Sequence, residues 1–315
     1  MESFSLISNY EIKISGRYAL FPPINNSNLA IQHNILLIHA FPFDSEMFYA
    51  NFSDISTVSV LSELGTQFGN IRVILPDLPG FGRSESFMNQ PYDLIPYVDV
   101  IKEIVDFFDI KTLILGGCSM GGYIALEYLH NHPNSLDGLI LIDTKSTADF
   151  EEQKQNRYKI MEMIRISLQR WSKLDNHAQK MEETHGTIHE IRNYLENLYD
   201  KIIADTTTTS NPQLAEKILT IMKRQNPLAL IHALGAMAGR IDNSDSLQKF
   251  KKPVLIMLGE HDSLIPIELA KKMDSLALNA TLRIIPNSGH LSNVENVEIF
   301  NDRLVSWLKT AIFQN

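Results

Sequence analysis

Residues 112–129, Thr112-Leu-Ile-Leu-Gly-Gly-Cys-Ser-Met-Gly-Gly-Tyr-Ile-Ala-Leu-Glu-Tyr-Leu129, join an apolar run to a helical pattern through a glycine-rich turn. The run Leu113–Leu115 has no polar face, which predicts a buried strand. The amphipathic helical pattern begins after Gly122. Between them, residues 117–121 spell G-x-S-x-G, a strained strand-to-helix turn that exposes a serine at the carboxyl edge of a sheet. We therefore predict that Ser119 is a nucleophile.

A G-x-S-x-G sequence arises by chance in roughly one chain in ten of this length, at average usage of glycine and serine. The motif therefore needs partners elsewhere in the chain. A serine hydroxyl is a weak nucleophile at neutral pH and requires an adjacent base, which in turn requires a group that orients it. In this kind of turn we expect the chain order serine, acid, histidine.

The base is predicted at His290, one of 10 histidines. It follows a glycine after the last apolar strand, where a loop can carry it over the sheet edge. His39 also closes a strand at that edge, but it precedes Ser119, and we expect it to support its own turn. Five other histidines are expected to be solvated or to cap a helix: His130, His132, His177, His185 and His189.

The acid is predicted at Asp262, in a loop after the penultimate apolar strand and at the same edge of the sheet. Two other carboxylates remain alternatives. Glu260 lies two residues away, and Asp143 follows an earlier strand. The order Ser119, Asp262, His290 matches the expected chain order.

A transition state with a negatively charged oxygen also requires hydrogen-bond donors. We predict one donor at the backbone N–H of Met120, the residue after the nucleophile. The second is predicted at the backbone N–H of Phe41, in the turn after the strand that ends at His39. Pro42 has no N–H and cannot serve.

Apolar strands alternate with helical patterns along most of the chain, which predicts an α/β fold with a doubly wound, mostly parallel sheet. The predicted strands are residues 35–38, 71–75, 113–115, 136–142, 253–258 and 281–285. The predicted helices around them are residues 45–68, 97–108, 267–276 and 294–312. Two β-like runs, residues 10–14 and 17–21, are expected to form an antiparallel edge, followed by a turn over residues 22–28.

Residues 146–240 differ from the rest because they show consecutive helical patterns with no strand candidate. The tract Thr206–Ser210, together with Asn211-Pro212, is expected to break them. We predict that this segment is a helical cap, inserted into a core domain formed by residues 1–145 and 241–315. Its apolar stretch 228–237 is expected to form an apolar wall of a pocket under the cap.

The composition of the 315 residues, 44% hydrophobic and 21% charged, is that of a soluble globular protein. The net charge of −9 and the absence of a basic stripe argue against nucleic-acid binding. No apolar run is long enough for a membrane span, and no signal peptide is apparent. The single cysteine, Cys118, is expected to be a buried packing residue and favours a reducing compartment, so we expect a cytoplasmic protein. No His/Cys cluster resembles a zinc site.

Several motifs together resemble those of the α/β-hydrolase superfamily, and the resemblance extends from about Ile35 to Leu308. The matching segments are His39-Ala-Phe-Pro42, Asp77-Leu-Pro-Gly-Phe-Gly-Arg-Ser84, the Ser119 turn, Gly259-x-x-Asp262-x-x-x-Pro266 and Gly289-His290. Ala40 stands where this family usually has glycine. Within the superfamily, the C-terminal third is similar to enol-lactonase-like and small-ester carboxylesterase members with a helical cap.

The resemblance implies acyl transfer from a small-molecule ester or lactone to water through an acyl-enzyme on Ser119, with no metal or organic cofactor. Haloalkane dehalogenases and epoxide hydrolases share the scaffold but need an aspartate nucleophile. Carbon–carbon bond hydrolases and cofactor-free perhydrolases use the same triad and remain alternatives, as does a hydrolase-like ligand receptor with little turnover. The sequence does not indicate an oligomeric state.

Overall fold

Eight strands form one sheet in the residues that the computed structural model describes, which are 1–21, 31–173 and 189–313. The strands are β1 (Glu2–Ile7), β2 (Lys13–Phe21), β3 (Ile31–Ile38), β4 (Asn70–Pro76), β5 (Leu113–Cys118), β6 (Gly138–Ile142), β7 (Val254–Gly259) and β8 (Ala280–Ile285). Every residue of β5, β6 and β7 is buried. Helices cover both faces of these strands, which explains their lack of alternating polar residues.

The spatial order of the strands is β1-β2-β4-β3-β5-β6-β7-β8. All neighbours from β4 to β8 in this order are parallel, whereas β1 and β2 run antiparallel at one edge. The prediction of a doubly wound, mostly parallel α/β sheet is therefore confirmed. It places the carboxyl ends of β3, β5, β6, β7 and β8 along one edge.

The antiparallel edge exists, but its strands are not those predicted. The runs 10–14 and 17–21 were separated at Ser15-Gly16, whereas β2 is continuous through both residues, and β1 was missed. A side chain at position 16 would lie 2.4 Å from the Phe4 ring and 2.7 Å from the carbonyl oxygen of Leu75. Glycine thus allows close strand packing here and does not end the strand. The predicted turn, residues 22–28, lies outside the described residues.

The helices of the described ranges are, in chain order, α1 (Tyr49–Ser53), α2 (Ile55–Phe68), α3 (Ile95–Phe107), α4 (Met120–Asn131), α5 (Glu151–Trp171), α6 (His189–Ile202), α7 (Asp205–Ser210), α8 (Pro212–Lys223), α9 (Pro227–Gly239), α10 (Ser244–Lys249), α11 (Ile267–Leu276), α12 (Ser292–Glu295) and α13 (Val297–Trp307). A 3₁₀ turn at Ser45–Phe48 precedes α1, and a π turn at Leu308–Ile312 follows α13.

The helical segment between β6 and β7 contains α5 to α10. The break predicted at Thr206–Ser210 with Asn211-Pro212 is narrower in the structure, because Thr206–Ser210 lies within the short helix α7 and the next helix begins at Pro212. The interruption is confined to Asn211, whose side-chain oxygen accepts a hydrogen bond from the N–H of Leu214 at 3.1 Å and so caps α8. Helix α9 packs along α5 and is buried on most sides. Two of the histidines considered, His177 and His185, lie outside the described residues.

The turn between β5 and α4 is one of the tightest contacts of the fold. A Cβ atom at Gly121 would lie 2.1 Å from the carbonyl oxygen of Ile38, at the end of β3. One at Gly117 would lie 2.2 Å from the carbonyl carbon of Gly121. Glycine at both positions therefore lets α4 begin directly against the end of the sheet, beside Ser119.

We expect Gly121→Ala to lower the free energy of unfolding by about 1–3 kcal/mol or more, because its new methyl group meets a rigid backbone oxygen. Urea titration of the purified variant measures this change. Gly138→Ala is the matched control, since the atoms nearest to its Cβ belong to side chains and not to the backbone, Ile312 Cδ1 at 3.0 Å and Trp307 Cη2 at 3.2 Å. An equally large loss in Gly138→Ala would contradict the assignment of the cost to the turn.

Candidate active site

Ser119 occupies the turn between β5 and α4 with φ 51° and ψ −111°, in the left-handed region that L residues rarely adopt. Two hydrogen bonds to the end of β6 hold it there. Its N–H donates to the carbonyl oxygen of Ile142 at 2.9 Å, and its own carbonyl oxygen accepts from the Thr144 hydroxyl at 2.8 Å. The neighbouring strand thus fixes the backbone from which the Ser119 side chain projects.

The structure brings Ser119, His290 and Asp262 together although they are far apart in the chain. His290 Nε2 lies 2.8 Å from Ser119 Oγ, and His290 Nδ1 lies 2.8 Å from Asp262 Oδ2. The imidazole and the carboxylate are almost completely buried. This arrangement lets the imidazole accept the Ser119 proton at Nε2 while its Nδ1–H donates to the carboxylate.

The carboxylate of Asp262 is itself held by backbone donors. Its Oδ1 accepts hydrogen bonds from the N–H groups of Leu264 at 2.8 Å and Ile265 at 3.0 Å, which leaves Oδ2 for His290. The turn after β7 therefore sets the direction of this carboxylate, and through it the orientation of the imidazole ring.

The two alternative acids have other partners. Asp143, at the end of β6, accepts from the N–H of Gly259 at 2.9 Å and from the N–H and hydroxyl of Ser292 at 2.9 and 2.8 Å. It thereby ties β6 to β7 and to α12. Burial, with a further contribution from the charge of Asp262, raises the pKa of Asp143 to about 7. Glu260 is half-exposed and accepts from the N–H of Asn287 at 3.1 Å.

His39 is buried and braces its own turn. Its Nδ1 lies 2.9 Å from the carbonyl oxygen of Ala40, and its Nε2 accepts from the N–H of Leu78 at 2.9 Å. Burial lowers the pKa of His39, which favours the neutral ring that these two bonds require. The ring thus connects the turn at residues 39–42 to the loop at residues 77–84.

The two predicted oxyanion donors belong to Met120, which follows Ser119 directly, and to Phe41, which lies at the same cavity. Met120 is the first residue of α4, so its N–H has no acceptor within the helix. Phe41 lines the same cavity as Ser119. Within the described residues neither N–H donates to a protein acceptor. Ala40 lies outside the left-handed φ region, so its methyl group is compatible with the backbone of this turn.

Glu295 holds the loop that carries His290, and it is not among the residues predicted from the sequence. Its Oε1 accepts from the N–H groups of Gly289 at 2.9 Å and Leu291 at 3.2 Å. Its Oε2 accepts from the N–H of Ala204 and the hydroxyl of Thr207. One carboxylate therefore joins the histidine loop to the start of α7. No local motif marks it, because two of its partners, Ala204 and Thr207, lie 91 and 88 residues earlier in the chain.

Ser119 and His290 open into a cavity of about 460 Å³. Its apolar lining includes Phe41, Ile160, Leu198, Ile202, Leu234, Met237, Leu264 and Ile265, and its charged lining is Lys145, Asp149, Arg157 and Lys201. Leu234 and Met237 belong to the stretch 228–237 that was expected to form an apolar wall. The charged wall was not predicted.

The charged wall is built around Asp149, which lies just before α5. Arg157 Nε is 2.6 Å from Asp149 Oδ2, and Arg240 Nη2 and Lys145 Nζ are 2.8 and 3.3 Å from Oδ1. Burial raises the pKa of Asp149, but the Arg240 and Arg157 guanidinium groups outweigh burial and hold this pKa well below its usual range. The sequence contained one indication of this charged cluster, because Lys145 lies only three residues after the end of a buried strand.

The remaining features of the site concern Cys118, metals and membranes. Cys118 is buried, and burial raises the pKa of its thiol well above the usual range, as suits a packing residue. In the described ranges no group of three or more His, Cys, Asp or Glu side chains is arranged to hold a metal ion. Of the helices described, none has the length and apolar composition that crossing a membrane requires.

The chain is similar in sequence to known hydrolases. The sequence profile described as alpha/beta hydrolase fold matches residues 34–297. A 2-hydroxy-6-oxononadienedioate/2-hydroxy-6-oxononatrienedioate hydrolase of Escherichia coli is 24% identical over 264 residues, which cover 82% of each chain.

Two solved structures show the same fold over nearly the whole chain. A thermophilic esterase from Thermogutta terrifontis superimposes with a TM-score of 0.79 at 24% identity, covering 99% of both chains. The enol-lactonase from Burkholderia xenovorans superimposes with a TM-score of 0.75 at 16% identity, covering 97% of this chain and all of the other.

The predicted role of His290 as the base implies that its protonation state controls the reactivity of Ser119. Burial lowers the pKa of His290, but the charge and hydrogen bond of Asp262 outweigh burial, and this pKa lies above its usual value of 6.5. Protonated His290 cannot accept the Ser119 proton. We therefore expect the rate at which a fluorophosphonate probe labels Ser119 to fall as the pH drops through a midpoint above 6.5. A midpoint at or below 6.5 would contradict the coupling to Asp262.

Asp262→Asn removes the interactions that raise the pKa of His290, so we expect the midpoint to shift to lower pH. The labelling rate at pH 8 should fall by about 10³-fold or more, because the ring loses its orienting carboxylate. Glu260→Gln is the matched control and is expected to label at the wild-type rate. Normal labelling in Asp262→Asn together with slow labelling in Asp143→Asn would instead assign the orienting role to Asp143.

Proposed function

The chain belongs to the alpha/beta hydrolase fold family, and we propose that it is a serine hydrolase that cleaves a small-molecule carboxylic ester or lactone. The observation that carries this proposal is the pair of 2.8 Å hydrogen bonds that connect Asp262, His290 and Ser119 beside an accessible cavity. An esterase and an enol-lactonase share the fold, which agrees with this reaction class.

The first half of the proposed reaction forms an acyl-enzyme. Ser119 Oγ attacks the carbonyl carbon of the substrate while its proton passes to His290 Nε2, and Asp262 stabilises the imidazolium that results. The N–H groups of Met120 and Phe41 stabilise the oxyanion of the tetrahedral intermediate. When the carbon–oxygen bond to the leaving group breaks, His290 returns the proton to the leaving alkoxide. For a lactone, the released hydroxyl remains part of the acyl group.

The second half releases the acid. His290 takes a proton from a water molecule as the water oxygen attacks the acyl carbon, and the same two N–H groups hold the new oxyanion. Collapse of this intermediate breaks the bond to Ser119 Oγ, which recovers its proton from His290. The net reaction consumes one water and yields an acid and an alcohol. Substrate, water and these side chains supply every proton and electron pair, so the proposed reaction uses no metal or organic cofactor.

We further propose that residues 146–240 form a cap over a core made of residues 1–145 and 241–315. Three helices of this segment contribute side chains to the cavity, such as Arg157 from α5, Tyr194 from α6 and Leu234 from α9. The segment also supports the histidine loop, because the N–H of His290 donates to the carbonyl oxygen of Ile202 at 2.8 Å. The cap would thus control which acyl and alcohol groups reach Ser119.

The expected partners are small molecules. The net charge of −9 argues against binding to the phosphate backbone of nucleic acids. We also propose a cytoplasmic setting, because the single cysteine is buried and free, as suits a reducing compartment.

A second candidate reaction is hydrolysis of a carbon–carbon bond next to a ketone. The observation that favours it is the E. coli hydrolase of 2-hydroxy-6-oxononadienedioate, which aligns over 82% of each chain. Ser119, His290 and the two N–H donors could serve such a substrate in the same positions, with carbon in place of oxygen as the leaving atom.

Hydrolysis of p-nitrophenyl butyrate tests the leading proposal. We expect Ser119→Ala to lower kcat by at least about 10³-fold, because it removes the nucleophile. Mass spectrometry of the wild type quenched at early times should find a butyryl group on the peptide that contains Ser119. Ser275→Ala, an exposed serine on α11, is the control and should retain the wild-type rate. Equal turnover in Ser119→Ala and wild type would show that the nucleophile is wrongly assigned.

The two candidate reactions are separated by comparing substrates on the same preparation. We expect kcat/KM for short-chain esters and lactones to exceed that for 2-hydroxy-6-oxonona-2,4-dienedioate, followed by the loss of its dienol absorbance. A preference for the dienedioate that Ser119→Ala abolishes would favour the carbon–carbon bond hydrolase. Ligand binding without turnover of any of these compounds would favour a receptor.

A further inference from the structure

The charged wall of the cavity contains more positive than negative charge. Lys145, Arg157 and Arg240 all pair with the single carboxylate of Asp149. Among the described residues, three cations thus share one carboxylate. Arg240 also donates to the carbonyl oxygens of Met237 and Thr147, and Lys145 to Gln153 Oε1, but these acceptors are neutral and leave two positive charges unbalanced. Lys201 adds a further cation to the lining of the cavity.

This imbalance lies in a largely buried place. The exposed fractions of the Lys145 and Arg240 side chains are 8% and 2%, and that of Arg157 is 21%. A surplus of buried positive charge is costly, because each cation loses hydration while one carboxylate compensates all three. Burial and the neighbouring Arg240 lower the pKa of Lys145, which reflects the same cost. An anion that enters the cavity would relieve it.

The orientation of Arg157 leaves donors for such an anion. Its Nε is used by Asp149, whereas its Nη1 lies 3.4 Å from Met237 Sδ, a thioether and therefore a weak acceptor. A guanidinium group binds a carboxylate best through two parallel N–H donors. Asp149 acts here as a positioning residue, because it holds Arg157 at the cavity wall, and Arg240 in turn holds Asp149.

The cluster is close to the nucleophile. Lys145 and Arg157 line the same cavity as Ser119. The guanidinium of Arg240 lies 4.0 Å from the centre of the Tyr123 ring, and Tyr123 is also part of the cavity lining. Ser119 is the N-cap residue of α4, and Tyr123 lies four residues further along. Four residues correspond to a rise of roughly 6 Å along the helix axis. A small substrate can therefore reach Ser119 and the cluster at once.

We propose that Arg157 and Lys145 form an anion subsite of the catalytic cavity, and that the substrate is an ester or lactone with a second, ionised carboxyl group. This inference rests on the proposed hydrolysis at Ser119. It narrows the substrate from apolar esters, which the stretch 228–237 alone would favour, to anionic ones. The apolar lining, with Leu234 and Met237, would contact the carbon chain between the two carboxyl carbons.

Matched pairs of esters test the preference for a carboxylate. Monomethyl glutarate is compared with methyl pentanoate, and 3-acetoxypropanoate with propyl acetate, so that each pair differs by a carboxylate in place of a methyl group. We expect kcat/KM to be about 10- to 100-fold higher for the anionic member of at least one pair, the gain of a charge-assisted hydrogen bond. Equal values, or a preference for the neutral esters in both pairs, would overturn the subsite.

The ratio of anionic to neutral kcat/KM is then measured in variants. Arg157→Gln and Lys145→Gln should each reduce this ratio by about 10-fold or more. Lys159→Gln removes the same charge from the exposed side of α5 and should leave the ratio at the wild-type value. An unchanged ratio in both Arg157→Gln and Lys145→Gln would contradict the proposal, and the use of two variants guards against misfolding of one.

A binding measurement separates failure of the subsite from failure of the proposed reaction. Titration calorimetry of Ser119→Ala with glutarate needs no turnover, and we expect binding that weakens with added salt and in the double variant Ser119→Ala/Arg157→Gln. Glutarate binding in a protein that hydrolyses no ester would support the subsite and reject the reaction. Ester hydrolysis without glutarate binding would reject the subsite alone. Tighter binding of inorganic phosphate than of glutarate would overturn the carboxylate assignment.

Discussion

The backbone of Ser119 lies in the left-handed region between β5 and α4, and the site depends on this constraint. Glycine at positions 117 and 121 allows α4 to begin against β3, and hydrogen bonds from the end of β6 hold the turn. The same contacts leave the Met120 N–H free of a helical acceptor beside the Ser119 hydroxyl. Packing of the sheet edge thus stabilises a conformation that the isolated turn would not keep.

Asp143 and Asp262 are two buried carboxylates at the same edge of the sheet, and different hydrogen-bond partners give them different roles. Asp143 accepts three hydrogen bonds from Gly259 and Ser292, which ties β6, β7 and α12 together. One carboxylate oxygen of Asp262 accepts hydrogen bonds from backbone N–H groups, and the other lies at hydrogen-bond distance from His290. The charge of Asp262 raises the pKa of both neighbours, the Asp143 carboxyl and the His290 imidazole. Asp143 therefore joins elements of the fold, whereas its neighbour Asp262 orients the imidazole of His290.

The cavity has one apolar and one cationic wall. The cationic wall is the less favourable one to bury, because its charged groups lose hydration. Helix α5 brings Arg157, the end of α9 leads into Arg240, and the exit from β6 supplies Lys145, all converging on Asp149. This cluster also connects the helical segment to the sheet. The proposed anionic substrate would stabilise this surplus of buried positive charge and would thereby link the substrate chemistry to the packing of the helical segment.

The sequence by itself determined the parallel sheet, the helical segment between β6 and β7, and the turn at Ser119, because apolar runs and glycine spacing are local signals. It also proposed Asp262 and His290, but left Asp143 and Glu260 as alternatives, since all three acids follow strands at one edge. It predicted the antiparallel edge but missed β1 and divided β2 at Ser15-Gly16, where Gly16 in fact allows the Phe4 ring to pack over a continuous strand. Only the tertiary structure decided which carboxylate reaches His290 and that distant cations share Asp149, because both depend on contacts between residues far apart in the chain.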